Sequence, residues 1–359
     1  MLVIRRHQEQ RYTTVFNPKT GFFARIEDAG RAEPSWSMSG PEILDISITG
    51  SCRNHCSRCY RNSLPGGFHI AFSNYVSIMR NARSVGVHQV ALGGGNPNEH
   101  PEFCRILQIT RDGFDIVPSY STNGSGLNWQ VLVASREFCG SVAVSYYPPK
   151  DRFLDALSML AKYGVRTNIH FVLDAHSVET AIDILQKRPD YLQNTNAIVF
   201  LNYKPAGRGG DSANLLARSS RLETFFEVLD RNNLPCKIGF DSCCVSGIVA
   251  HTKIRSPLFD ACEASRFSMF ISEKLLMYPC SFMEGYTDGV PFVGDNLLET
   301  WTNHTTFQQV RQKLLNPDCP QCAFVSTCYG GCPIFPSINL CEKYSPKRAK
   351  ESLSAPCTQ

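Results

Sequence analysis

Long apolar runs are missing from this 359-residue chain: no stretch of 18 or more apolar residues occurs, which argues against a membrane-spanning helix. The opening Met1-Leu2-Val3-Ile4-Arg5-Arg6-His7 has no apolar signal-peptide core, so the chain is expected to remain in the cytoplasm. Charge of one sign is missing as well. The 36 basic and 32 acidic residues leave a net +4 with no basic run to concentrate it, which gives nucleic acid little support as a partner. Apolar residues make up 43%, ordinary for a globular protein, and the length suits one large α/β domain plus a smaller one.

Cysteine is what the chain has in excess. Sixteen cysteines without an export signal do not suit a disulfide framework, because the cytosol keeps thiols reduced; they point to metal. Three of them, Cys52, Cys56 and Cys59, are spaced C-x3-C-x2-C directly after the apolar run 43–49. Three thiolates on one short loop can hold three irons of a 4Fe-4S cluster and leave the fourth iron open to a small molecule. A structural zinc site closes with four protein ligands, and His55 is the further candidate inside the loop. His55 adjoins Cys56, and neighbouring residues rarely converge on one metal. Seven more cysteines form a patterned set, Cys262, Cys280, Cys319, Cys322, Cys328, Cys332 and Cys341. The remaining Cys104, Cys139, Cys236, Cys243, Cys244 and Cys357 are expected mostly as buried small side chains.

The Asn17-Pro18-Lys19-Thr20-Gly21 turn signal between two β-like stretches predicts a hairpin over residues 12–27. Strand patterns follow near 43–49, 87–92, 115–121, 141–146, 165–173 and 196–203. Helical patterns near 71–85, 101–112, 128–137, 150–163, 177–187 and 219–232 fill the gaps. Six βα units of this kind predict right-handed crossovers and a parallel sheet.

The loop Cys52-Arg53-Asn54-His55-Cys56-Ser57-Arg58-Cys59 resembles the signature of the radical S-adenosylmethionine (SAM) superfamily. That resemblance implies a partial (β/α)6 barrel with its chemistry at the C-terminal strand ends. It also implies a cluster whose open iron is chelated by the methionine part of SAM, and a 5'-deoxyadenosyl radical that takes a hydrogen atom from substrate. The family usually has an aromatic residue before the third cysteine. Here Arg58 stands there, with Tyr60 on the other side, and a contact to adenine made through backbone is expected to survive.

After the second strand, Gly94-Gly95-Asn96-Pro97 is similar to the family's Gly-Gly-Glu-Pro segment, which binds the SAM amino group. An Asn96 amide oxygen can accept from an ammonium, without the charge assistance of a carboxylate. On its residues alone the segment also reads as a glycine-rich turn from strand to helix. Asn123, in Ser121-Thr122-Asn123-Gly124, resembles the family's Thr-Asn-Gly turn beside the cofactor, and Ser145 stands where the family often sets a serine against the ribose. A serine at a strand end is equally a turn former. Arg208, in Lys204-Pro205-Ala206-Gly207-Arg208-Gly209, resembles the Pro-x-Gly-Arg segment of many members; it could face the SAM carboxylate or the substrate, or be solvated on its loop.

The spacing C-x2-C-x5-C-x3-C from Cys319 to Cys332 resembles the SPASM domain of radical SAM peptide-modifying enzymes, which carries two auxiliary 4Fe-4S clusters. Zinc knuckles use similar spacings. The resemblance implies one cluster on Cys319, Cys322, Cys328 and Cys341 and a second on Cys262, Cys280 and Cys332. The second set is one ligand short: many members have a further cysteine where this chain has Ser256. Either Cys243 or Cys244 closes that site, or an iron stays open. The implied organisation is an N-terminal hairpin extension (1–42), a barrel (43–240) and a SPASM-like domain (241–359).

The resemblance favours a ribosomally made peptide as substrate, undergoing crosslinking or side-chain oxidation. A small molecule or a residue of a folded partner protein is the alternative, and a non-catalytic iron-sulfur or zinc scaffold the reading from another class. A reductant such as flavodoxin or ferredoxin is expected. About 42 residues precede the first barrel strand and 18 follow Cys341, too few for a winged-helix leader-binding domain. A separate recognition protein, a leader read by the hairpin, or direct binding along a barrel edge is expected instead. Tyr146, Tyr147, His170 and Cys104 are conceivable acid or base groups, and each also reads as a packing or satisfied polar residue.

Overall fold

The computed structural model describes residues 2–254, 259–319 and 321–341. In chain order the strands are β1 (Val3–His7), β2 (Tyr12–Phe16), β3 (Phe23–Glu27), β4 (Ile43–Thr49), β5 (Gln89–Gly94), β6 (Val117–Thr122) and β7 (Val142–Ser145). They continue as β8 (Thr167–Leu173), β9 (Ala197–Asn202), β10 (Lys237–Phe240), β11 (Ser268–Ile271), β12 (Leu276–Tyr278) and β13 (Val290–Pro291). The helices are α1 (Phe72–Val85), α2 (Phe103–Gln108), α3 (Trp129–Phe138), α4 (Asp151–Lys162) and α5 (Val178–Lys187). After them come α6 (Leu222–Asp230), α7 (Val245–His251), α8 (Leu297–Asn303), α9 (Thr305–Leu315) and α10 (Val325–Cys328).

From β4 to α6 strand and helix alternate without a break, as the periodicity predicts. The helix pattern around 101–112 is realised as α2 followed by one π-helical turn, Ile109–Gly113. Contacts divide the chain into two compact units. The first holds Met1–His55, Ser63–Thr167 and Ala264–Gln312; the second holds Cys56–Asn62, Asn168–Glu263 and the chain from Lys313.

In the first unit β4, β5, β6 and β7 pair in parallel and in sequence order. β11 adds to the other side of β4, also in parallel, and β12 and β13 extend it antiparallel. Parallel interior strands are covered on both faces and read as nearly continuous apolar runs. Accordingly Leu44, Ile46 and Ile48 of β4 and Val90 and Leu92 of β5 are all buried. Helix α1 packs a stripe of Tyr75, Ile78, Met79, Ala82 and Val85, the spacing of one helical face. Asn128 caps α3, its side chain accepting from Val131 N–H at 3.0 Å. The leading hairpin is present as β2 and β3, with β1 paired antiparallel to β2 as an additional edge.

In the second unit β8, β9 and β10 pair in parallel. Their core is aromatic: Phe200 lies edge-on to Phe171 at 5.8 Å and to Phe225 at 5.3 Å between ring centres. Ser256 and Cys357 lie outside the described residues.

Candidate functional site

The first unit builds the approach to Cys52. At the end of β4 the pairing with β5 shifts register between Ser47 and Thr49, a bulge that ends the strand and releases the chain into the cysteine loop. The glycine turn after β5 then docks onto that loop through backbone alone: Gly95 N–H donates to Thr49 O at 2.6 Å and Asn96 N–H to Ser51 O at 2.8 Å. A Cβ on Gly94 would lie 2.1 Å from Thr49 O, and one on Gly95 1.9 Å from Ser51 O. Glycine is therefore required here by the approach of the chain to itself.

Asn96 is 1% exposed, and its carboxamide is engaged within the protein. Its Oδ1 accepts from Thr122 Oγ1 at 3.0 Å and from Asn123 N–H at 3.2 Å, and its Nδ2 donates to Ser125 O at 3.2 Å. Asn123 in turn donates from Nδ2 to Cys52 Sγ at 3.5 Å. Asn96, Asn123 and Cys52 are thus one connected network. On the other side of the cysteine, Glu99 accepts from Ser51 Oγ at 3.0 Å and from Arg53 N–H at 3.2 Å. Pro97 is buried at the start of a short 3-10 turn, and Ser145 ends β7 half-buried.

A residue that no motif announces joins this region. Glu273, 5% exposed just after β11, accepts from Ser47 Oγ at 2.5 Å. It reaches the end of β4 because β11 and β4 run in parallel, a pairing across more than two hundred residues that local sequence does not signal.

The second unit grips the stretch 56–62. Arg208 donates from Nε to Cys56 O at 3.2 Å and from its backbone N–H to Cys59 O at 3.0 Å. Gly207 has φ +64, and a Cβ there would lie 2.3 Å from Tyr60 O, so this loop too needs glycine for close approach. Arg58 forms an ion pair with Asp174, whose side chain is 5% exposed. The other Asp174 oxygen accepts from His176 and Ser177 N–H, both at 2.8 Å.

Four late cysteines belong to the same unit. Burial pushes the Cys328 thiol up to about 12, with further upward contributions from Cys341, Cys319 and Cys322. These are the four residues of the first implied auxiliary set. Cys322 N–H donates to Cys319 O at 3.1 Å and Gly331 N–H to Cys328 O at 2.9 Å, the tight turns that present neighbouring thiols. Of the second set, Cys262 and Cys332 are buried in this unit and Cys280 is half-buried in the first, after β12. Of the six remaining cysteines, Cys244 is buried, while Cys104, Cys139, Cys236 and Cys243 are half-buried.

Sequence reasoning also missed a buried charge pair. Lys204, 8% exposed after β9, is ion-paired with Asp241 after β10. Burial opposes its charge, but Asp241 and Cys243 outweigh that and raise its pKa well above the ordinary lysine value. Among the conceivable acid and base groups, burial lowers the His170 imidazole to about 4, so it is neutral at physiological pH. Tyr146 lies edge-on to Phe153 at 5.1 Å, Tyr147 is exposed, and burial raises the Cys104 thiol.

The chemistry of the donor sets fits iron-sulfur clusters. Cys52 and Cys332 each accept an N–H hydrogen bond on sulfur, from Asn123 Nδ2 and from Phe335 N–H, as cluster thiolates do. Among the described residues no three His, Cys, Asp or Glu side chains are grouped as ligands of a single metal ion.

Six βα units, a cysteine loop after the first of their strands and a cysteine-rich C-terminal region make up the fold. Particular structures share it. SuiB of Streptococcus suis bound to S-adenosylmethionine matches 92% of this chain and 94% of its own, with a TM-score of 0.71 and 14% identity. The same protein bound to its precursor peptide SuiA matches 95% and 98%, with a TM-score of 0.70 and 16% identity. anSMEcpe with bound AdoMet and a Cp18Cys peptide matches 86% and 95%, with a TM-score of 0.61 and 16% identity. A probable GTP 3',8-cyclase of Methanothermobacter thermautotrophicus is 27% identical over 146 residues, 39% of this chain and 48% of that protein. The match thus spans about half the length of that curated relative. No protein-family model matches the chain. No helix among the described residues is long and apolar enough to cross a membrane.

Proposed function

We propose that this chain cleaves SAM reductively and uses the resulting radical to take a hydrogen atom from a peptide. A 4Fe-4S cluster held by Cys52, Cys56 and Cys59 would supply the open iron for the methionine part of SAM and the electron that splits its sulfonium. The observation that carries the reading is the network Asn96–Asn123–Cys52, which ties the two cofactor-like turns to the first cysteine.

The chain's own residues have definable tasks in this scheme. Asn123 Nδ2–H stabilises negative charge on Cys52 sulfur, and Asn96 fixes the backbone of Asn123. Glu99 holds the residues on either side of Cys52, and Arg208 holds the carbonyls of Cys56 and Cys59. With the Asn96 carboxamide engaged in this way, the SAM amino group is left to backbone carbonyls of the Gly94–Pro97 turn. Gly94, Gly95, Asn96, Pro97, Asn123 and Ser145 form the SAM side of the site in this reading, and Arg208 acts as a clamp on the loop. Cys319, Cys322, Cys328 and Cys341 would hold an auxiliary cluster that relays electrons from a flavodoxin or ferredoxin.

A peptide substrate is supported by the structures of SuiB with SuiA and of anSMEcpe with a Cys-containing peptide. A second reading, a small-molecule substrate of the nucleotide type, draws on the match to the probable GTP 3',8-cyclase. The two separate by isotope transfer. Anaerobic turnover with SAM, dithionite and deuterated candidate peptides should place deuterium in 5'-deoxyadenosine. Deuterium arriving only from labelled GTP would replace the peptide reading with the nucleotide one.

A further inference from the structure

We propose that Cys243 is the missing thiolate of the incomplete auxiliary set and joins Cys332 on the same 4Fe-4S cluster. The inference rests on the iron-sulfur reading above and concerns which side chain completes the site. Geometry separates the two candidates. Ser242–Cys244 form a single 3-10 turn, in which successive side chains point about 120° apart. Two adjacent cysteines on such a turn cannot both face one partner.

Cys243 is the one that faces Cys332. It packs against the apolar cluster of Tyr203, Leu215, Cys332 and Ile338. Cys244 points elsewhere: it is fully buried, with Sγ 3.8 Å from the carbonyl oxygen of Phe200 in β9. That is a weak S–H donor satisfied in the core of the unit.

The surroundings of the pair suit a metal-bound thiolate. Phe335 N–H donates to Cys332 Sγ at 3.3 Å, the bond that lowers the cost of negative charge on a buried sulfur. Lys204, buried after β9, is ion-paired with Asp241, the residue that caps the turn carrying Cys243. A buried cation beside a cluster offsets the net negative charge of its thiolates and sulfides. The turn is also fixed in place. Asn202 Nδ2 donates to Cys243 O at 3.2 Å and to Ile338 O at 2.8 Å, which ties it to the segment that follows Cys332.

The test compares the full chain with its C243A, C332A and C244A variants after anaerobic reconstitution with iron and sulfide. Iron content, Mössbauer and EPR spectra are the readouts. C243A and C332A are expected to lose the same auxiliary signal, with about four irons fewer per chain or a spectrum of incomplete ligation, while C244A matches the parent. Parent-like iron and spectra in C243A would overturn the proposal, and so would a loss confined to C244A. Cys243→Ser preserves size and offers an oxygen ligand. It is expected to keep the parent's circular dichroism and shift the EPR signal of one cluster, and an unshifted signal in a folded protein also overturns the proposal. A parent chain that binds zinc and no iron would sink the iron-sulfur reading itself, a different failure.

Discussion

Replacing Gly95 with alanine should disable the site from a position that carries no functional group. The new Cβ would stand 1.9 Å from Ser51 O, where ordinary contact begins at 3.4 Å, so the two backbones must separate by roughly 1.5 Å. That movement breaks the 2.6 Å bond from Gly95 N–H to Thr49 O and the 2.8 Å bond from Asn96 N–H to Ser51 O. Two backbone bonds at about 1 kcal/mol each, together with local strain of about 1–3 kcal/mol, put the expected loss of stability at about 3–5 kcal/mol. Because Ser51 immediately precedes Cys52, displacement on the scale of 1 Å reaches the reacting geometry. Such misplacement can cost on the order of a hundredfold in rate. Urea unfolding gives the first quantity, and the initial rate of 5'-deoxyadenosine formation at saturating SAM gives the second. A Gly95→Ala protein that unfolds within about 0.5 kcal/mol of the parent and cleaves SAM at the parent rate would refute the contact between turn and cysteine loop.

Asn96→Ala leaves Asn123 N–H without its buried acceptor and the Thr122 hydroxyl with Asn98 Oδ1 alone, and a loss of about 1–3 kcal/mol with weakened SAM binding is expected. Isothermal titration with SAM, alongside thermal melts, checks both, and unchanged affinity would remove Asn96 from the site. Arg58→Ala should destabilise the chain by about 1–3 kcal/mol by leaving one oxygen of the buried Asp174 carboxylate without its cation. A double-mutant cycle with Asp174→Asn should then show clear coupling, and additive effects would mean the pair is incidental. His7 and His88 are lowered to about 4 chiefly by burial, with Arg5 adding to it. A histidine depressed in the folded state stabilises the fold above the unfolded value near 6.5 and loses that contribution as pH falls toward 4. Urea midpoints should therefore drop between about pH 6.5 and 4, and less steeply in His88→Gln; a flat profile in the parent would contradict the burial argument.

The six βα units were legible because their signals are local: apolar strand runs, amphipathic helices and the turns between them. The short strand β1, with two arginines in five residues, carried no such signal and exists through its pairing with β2. β10 to β13 are two to four residues long, too short for periodicity to register. The site divides along the same line. Cysteine spacing and glycine turns stand next to each other in sequence and could be read there. The contacts Glu273–Ser47, Arg58–Asp174 and Lys204–Asp241 join residues that only the fold brings together. Asn96 was visible as a departure from the glutamate of the Gly-Gly-Glu-Pro segment it resembles, yet its bonds to Thr122 and Asn123 required the neighbouring strand end.

One measurement bears most directly on the central claim: 5'-deoxyadenosine formed from SAM under dithionite, compared between the reconstituted chain and a variant with Cys52, Cys56 and Cys59 all changed to alanine. The parent should produce it. The variant should produce none while keeping about two-thirds of the iron on its auxiliary sites. SAM cleavage that survives in the triple variant, or a parent that binds zinc and leaves SAM intact, would contradict the account.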